Sequence, residues 1–72
     1  MPYRRNADLP PSVRDHLPEH AQDIFRAAFN NVWDESSEEA EDEREERAFR
    51  IAWAAVKRGY EKRGARWTRK PE

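Results

Sequence analysis

The chain has no cysteine among its 72 residues. Disulfide staples and thiolate metal sites are therefore both excluded, and a reducing compartment suits the composition. Glycine occurs only twice, too few for a glycine-rich phosphate cradle. No apolar run is long enough to cross a bilayer, and the opening MPYRRNADLPPS has no apolar stretch of the kind a signal sequence needs. The expectation is a soluble chain, most simply cytoplasmic, with no direct membrane insertion. Bulk is also scarce. At 72 residues the chain is one small domain, 1–72, near the lower limit at which a single core sustains a fold. A pocket with a supporting shell has little room in such a domain. The only serines lie where caps or loops are expected, so no nucleophile is evident. The sequence reads as non-enzymatic, and no cofactor is expected.

Charge is abundant. Forty per cent of residues are charged, yet the formal net charge is −1, and the average conceals a segregation. Residues 34–46, DESSEEAEDEREE, carry nine acids against one base, a net of −8, whereas residues 47–72 carry nine bases against two acids, a net of +7. An electrostatic role therefore belongs to one of these segments rather than to the chain as a whole.

The apolar periodicity is helical. In LPEHAQDIFRAAFNNVW (residues 17–33) one stripe at i, i+3, i+4, i+7 spacing takes in Ala21, Ile24, Phe25, Ala28, Phe29, Val32 and Trp33. A second stripe takes in Phe49, Ala52, Trp53, Val56 and Tyr60 and widens through Ala48, Ile51 and Ala55, so that helix is expected to touch neighbours on two sides. Three helices follow, at about 11–16, 18–34 and 41–60. Pro11 opens the first, and Val13 and Leu17 are its inward contacts. Pro18 ends the first and opens the second. The acids gather at the start of the third helix and the bases at its end, as the helix dipole favours. Glu43–Arg47 and Glu46–Arg50 are spaced for i,i+4 pairing. Asp23, Arg26 and Asn30 fall on the opposite face of the second helix, where water is expected. An acidic loop is expected at about 35–43. After Tyr60 the helical period ends and Gly64 marks a turn. A small two-stranded sheet is expected from the N- and C-terminal segments, bringing Tyr3 towards Trp67. The fold class is thus mainly α, a compact three-helix domain with a small terminal ribbon. Its core is Val13, Leu17, Ile24, Phe25, Phe29, Trp33, Phe49, Trp53, Val56 and Tyr60. Ile51 is the apolar residue this packing explains least.

Three groups of residues invite a chemical reading. His16 and His20 are four apart, but Pro18 separates them, and HLPEH lacks the order of a zinc-binding HExxH helix. The acid run lies between two helices as an EF-hand loop does. Begun at Asp34, however, it places Glu39 where glycine must make the sharp turn and Glu41 where an apolar residue belongs. No metal site is assigned; Asp34, Glu35, Glu38, Glu39 and Glu41 stand instead as a candidate partner-binding acidic loop. Lys57, Arg58, Lys62, Arg63, Arg66, Arg69 and Lys70, with Tyr60 and Trp67 interleaved, form a candidate phosphate-binding basic end: cations attract phosphate and aromatics stack on unpaired bases. No recognised nucleic-acid motif accompanies them. The acid run of a second copy could meet the same bases.

The segments MPY at the start, DLP at 8–10, LPEHAQDIF at 17–25, AFNNVW at 28–33, REERA at 44–48, AWAAVK at 52–57, Tyr60 and Trp67 together resemble the ChaB family of small proteins from one end of the chain almost to the other. The chain departs from that pattern most at 35–43, which is short and acidic. The resemblance implies a compact, mainly helical domain with a small terminal sheet. It also implies a role in regulating cation transport, with a sodium/calcium–proton antiporter as protein partner. It brings no catalytic or binding residues. A nucleic-acid-associated domain using the basic end is the alternative.

Overall fold

A computed structural model describes residues 3–71; Pro2, which with the RRNAD stretch argues for an extended or turning start, lies outside the described residues. A 3-10 turn, Asn6–Asp8, leads into a short helix α1 (Pro11–Arg14), a long helix α2 (Glu19–Glu35), a second long helix α3 (Glu41–Gly59), and strands β1 (Tyr60–Arg63) and β2 (Arg66–Arg69).

Each boundary has a local cause. Pro11 occupies the first position of α1, where a missing N–H costs nothing. The helix closes at Arg14, and the two residues beyond it, expected as helix, form a turn in which the N–H groups of His16 and Leu17 both donate to the Val13 carbonyl at 3.2 Å. Pro18 is extended (φ −64°, ψ 161°) and precedes α2 as its cap. Gln22 then reaches back from the first turns of α2. Its Nε2 donates to the carbonyls of Leu17 (2.8 Å) and Arg14 (3.1 Å), which α1 leaves without helical partners. Neither long helix has a side-chain N-cap. Instead Glu41, Asp42 and Glu43 fill the first turn of α3, and Lys57 and Arg58 its last, complementing the dipole at both ends.

The core lies between α2 and α3. Ala21, Phe25, Phe29, Ala48, Ala52 and Val56 are fully buried. The alanines let the helices approach while the aromatic rings fill the space beside them. Phe25 meets Trp53 edge-on at 5.3 Å between centroids, and Phe29 meets Phe49 edge-on at 5.1 Å, the arrangement aromatic quadrupoles prefer. Leu9, Val13 and Leu17 close one side, and Val32, Trp33 and Tyr60 complete the buried set; Ile24, Phe49 and Trp53 are half-buried against it. Leu9 thus adds to the residues expected inside, and Ala21, Val32, Ala48 and Ala52 of the two apolar stripes lie there too. Of the alanines on α3, Ala48 and Ala52 face the core, and Ala54 is exposed.

The small sheet corrects one expectation. Both strands come from the C-terminal segment, paired antiparallel with Tyr60 opposite Arg69 and Arg63 opposite Arg66. Gly64 has φ +62° and is the only described residue with positive φ, so the two-residue turn follows the II′ pattern that suits a twisted hairpin. The N-terminal segment already has a backbone partner elsewhere. Tyr3 N–H donates to Asn30 Oδ1 and the Tyr3 carbonyl accepts from Asn30 Nδ2, both at 2.8 Å. Tyr3 and Trp67 accordingly do not meet: Tyr3 lies 4.8 Å from Phe29, and Trp67 lies 5.5 Å from Trp53, centroid to centroid.

Candidate functional site

The acidic candidates do not form one loop. Asp34 and Glu35 belong to the last turn of α2, Glu38 and Glu39 to the connection, and Glu41 opens α3. That connection is short because Ser36 caps α2, its N–H reaching the carbonyls of Val32 and Trp33, and Glu39 N–H returns to the Ser36 carbonyl at 3.0 Å. Ser36 is buried in the corner. Arg44, the single base of the acidic segment, holds the corner shut: its Nε donates to the Trp33 carbonyl at 2.7 Å, and its guanidinium carbon lies 4.0 Å above the Trp33 ring. Arg47 pairs with Glu39 at 3.0 Å rather than with Glu43, the i,i+4 partner expected. Among the described residues no three carboxylates or imidazoles converge on a common point where a metal ion would sit.

The basic candidates are divided by the hairpin. Lys57 and Arg58 end α3, and the strand register places Lys62 opposite Trp67 on one face and Arg63 opposite Arg66 on the other. Arg63 is paired with Glu61 at 2.8 Å. Arg69 lies opposite Tyr60, and Lys70 follows β2, its N–H bound to the Gly59 carbonyl at 2.9 Å. Tyr60 is only 5% exposed. Its ring is part of the core, beside His20 at 6.3 Å, and is no stacking surface for a base. The interleaved aromatic that does reach solvent is Trp67, half-buried on Trp53.

Where α1, α3 and the hairpin meet, they enclose an open groove of about 410 Å³ lined by Ser12, His16, Trp53, Lys57, Lys62 and Trp67. His16 Nδ1 lies 3.1 Å from the Ser12 carbonyl. A carbonyl only accepts, so a hydrogen bond here needs the proton on Nδ1. A shallower depression adjoins, sharing His16 and Trp67 and adding Arg66. Lys57, Lys62 and Trp67 belong to the basic end read from the sequence, but α1 and the hairpin come together only through the tertiary fold. Ile51 stands apart from all of this, 37% exposed on α3.

A second polar cluster, expected to face water, does so only in part: Asp23 is exposed, whereas Arg26 and Asn30 are half-buried. Asp23, Arg26 and Asn30 on α2 hold the N-terminal segment: Arg26 Nε donates to Asn6 Oδ1 (2.9 Å), Arg26 Nη1 to the Arg4 carbonyl (3.2 Å) and Asn6 Nδ2 to Asp23 Oδ1 (2.6 Å), beside the Asn30–Tyr3 pair. Burial, with the Glu45 charge added, raises the pKa of the Tyr3 hydroxyl above its ordinary value. No periodicity announces this cluster, because a polar stripe looks the same whether it meets water or a strand of its own chain.

Comparison with known proteins covers nearly the whole molecule. Residues 9–70 match the ChaB family. The chain is 52% identical over 66 residues to "Putative cation transport regulator ChaB" of Escherichia coli (strain K12), an alignment covering 86% of this chain and 87% of that protein. The protein of the same name from Shigella flexneri gives the same figures. A solved structure, "NMR solution structure of the putative cation transport regulator ChaB", superposes with a TM-score of 0.85 at 45% identity, covering 97% of this chain and 100% of the other. The resemblance first carried by HAQ, AFN and AWAAVK extends to the path of the backbone, and the chain belongs to the ChaB family.

Proposed function

We propose that this chain is a non-enzymatic regulator of cation transport, acting by protein–protein contact on a sodium/calcium–proton antiporter. Its curated relatives are named as cation transport regulators, which supports the regulatory half of the reading. The observation that carries contact as the mode of action is the division of charge along α3, acids in its first turn and bases in its last. Asp42 and Lys57, fifteen residues apart in that helix, are separated by about 22 Å, well beyond the Debye length of ~8 Å at physiological salt. Each end therefore presents its own field, the condition under which complementary charge steers docking and fixes orientation. No helix among the described residues is long and apolar enough to cross a membrane, so contact with an integral-membrane partner would be made from outside the bilayer's hydrocarbon.

An affinity pull-down of the tagged protein from gently solubilised membranes, with and without nuclease, tests this. The expected result is a cation antiporter retained after nuclease and weakened when Glu38, Glu39 and Glu41 are changed together to Lys. Undiminished retention by that variant would exclude the acidic end from the contact. Recovery only of nucleic-acid proteins, lost with nuclease, would overturn the reading in favour of the basic end as a phosphate-binding surface.

A further inference from the structure

We infer that the groove between α1, α3 and the hairpin is a docking site for an acidic segment of the partner protein bearing a bulky apolar side chain. The inference rests on the proposed regulatory contact and assigns it a place.

The floor of the groove is a pair of tryptophans, Trp53 and Trp67, tilted 36° at 5.5 Å and both half-buried. Water therefore still reaches two large indole surfaces that this small core leaves incompletely covered. Lys57 and Lys62 stand on the walls with His16, and Arg66 lies in the adjoining depression. Among the described residues neither lysine nor Arg66 takes part in an ion pair, while Arg63 on the other face of the hairpin is already paired with Glu61. The groove thus offers apolar aromatic surface beside two lysines without ion-pair partners. Its complement is an apolar anchor flanked by carboxylates, and tryptophan is among the residues that dominate binding at such centres.

Two features favour a peptide segment over other anions. The groove lies open along one side, whereas sites for small molecules enclose most of the ligand surface; an open groove suits a chain laid across it and held elsewhere too. The bases are also split between the two faces of the hairpin, and Tyr60 is buried. A nucleic-acid strand would need a continuous cationic track with stacking faces along it.

The test is selection of 12-residue peptides displayed on phage against the immobilised full-length protein, with counter-selection on the Lys57→Glu/Lys62→Glu variant. Both lysines are exposed, so this variant is expected to keep the wild-type circular dichroism, with a melting temperature lowered by several degrees because Lys57→Glu sets a negative charge against the dipole at the end of α3. Enriched peptides rich in Asp and Glu around a Leu, Phe or Trp, with synthetic copies binding the variant at least tenfold more weakly, are the expected result. No enrichment, enrichment without acids, or equal binding to the variant would overturn the site. So would an oligothymidylate that binds tighter than the selected peptides and is lost with the same two lysines. The pull-down separates the two readings. If the double variant still retains the antiporter, the regulator stands and the groove falls; if peptides are selected but no antiporter is recovered, the groove stands and the named partner falls.

Discussion

Asn30 does with one side chain what a neighbouring strand does with its backbone, giving and taking a hydrogen bond with Tyr3. Each such bond contributes about 0.5–1.5 kcal/mol net, so Asn30→Ala is expected to lower stability by about 1–3 kcal/mol, read from chemical denaturation. A loss under about 0.5 kcal/mol, below the range for even one such bond, would mean that the N-terminal segment adds little to the fold. Tyr3 provides a second check. Its hydroxyl holds its proton more tightly when folded, because burial and the Glu45 charge oppose ionisation. The corresponding share of stability is fully present below the unfolded value of about 10 and is lost as pH rises through the folded value. Comparison of the wild type with Tyr3→Phe should therefore show parallel stability profiles up to about pH 10 and a steeper fall for the wild type above it. Identical alkaline slopes would refute this. At this scale the sequence was legible for apolar residues and blind for polar ones. Phe25 and Phe29 announce burial by type and spacing; Arg26 and Asn30 announce only polarity, and their partners at Arg4, Asn6 and Tyr3 sit more than twenty positions away on average.

Among elements, the helices were legible because each has a local period and a local stop. Pro18 divides α1 from α2, and the acids and bases sit at the matching ends of α3. The hairpin was less so. Gly64 marked the turn, but four-residue strands carry too little pattern to name their partner, and the N-terminal segment competed for that place until Asn30 settled it. The two glycines illustrate how differently one residue type serves two elements. Gly64 needs its positive φ; Gly59 ends α3 without one, and an added Cβ meets nothing within 4 Å at either position. Gly59→Ala is accordingly expected to stabilise by about 0.4–1 kcal/mol. Gly64→Ala, which must enter the left-handed region, is expected to destabilise by about 1 kcal/mol or more. Thermal melts of the two variants should move in opposite directions, and shifts of the same sign would remove the distinction.

In the whole molecule, the segments that carry the family resemblance prove to be one another's partners. Leu9 of DLP is in the core; Gln22 of HAQ caps the turn before it; Asn30 of AFN holds Tyr3; Arg44 of REERA closes on Trp33; Trp53 of AWAAVK supports Trp67. The motif is thus a folding signature, which explains why it was legible while the candidate site was not. A groove joining residues 12 to 67 is written nowhere as a pattern, only in the way distant segments meet. That same dispersal links occupancy to folding. The groove exists only when α1, α3 and the hairpin are assembled, so anything filling it binds the native chain and not the unfolded one. At about a hundred times its dissociation constant such a ligand adds about 2.7 kcal/mol, and in a domain this small each kcal/mol moves the melting temperature by about 4–8 °C. Peptides and protein fragments can therefore be sorted as ligands by heating alone, with no assay of any activity.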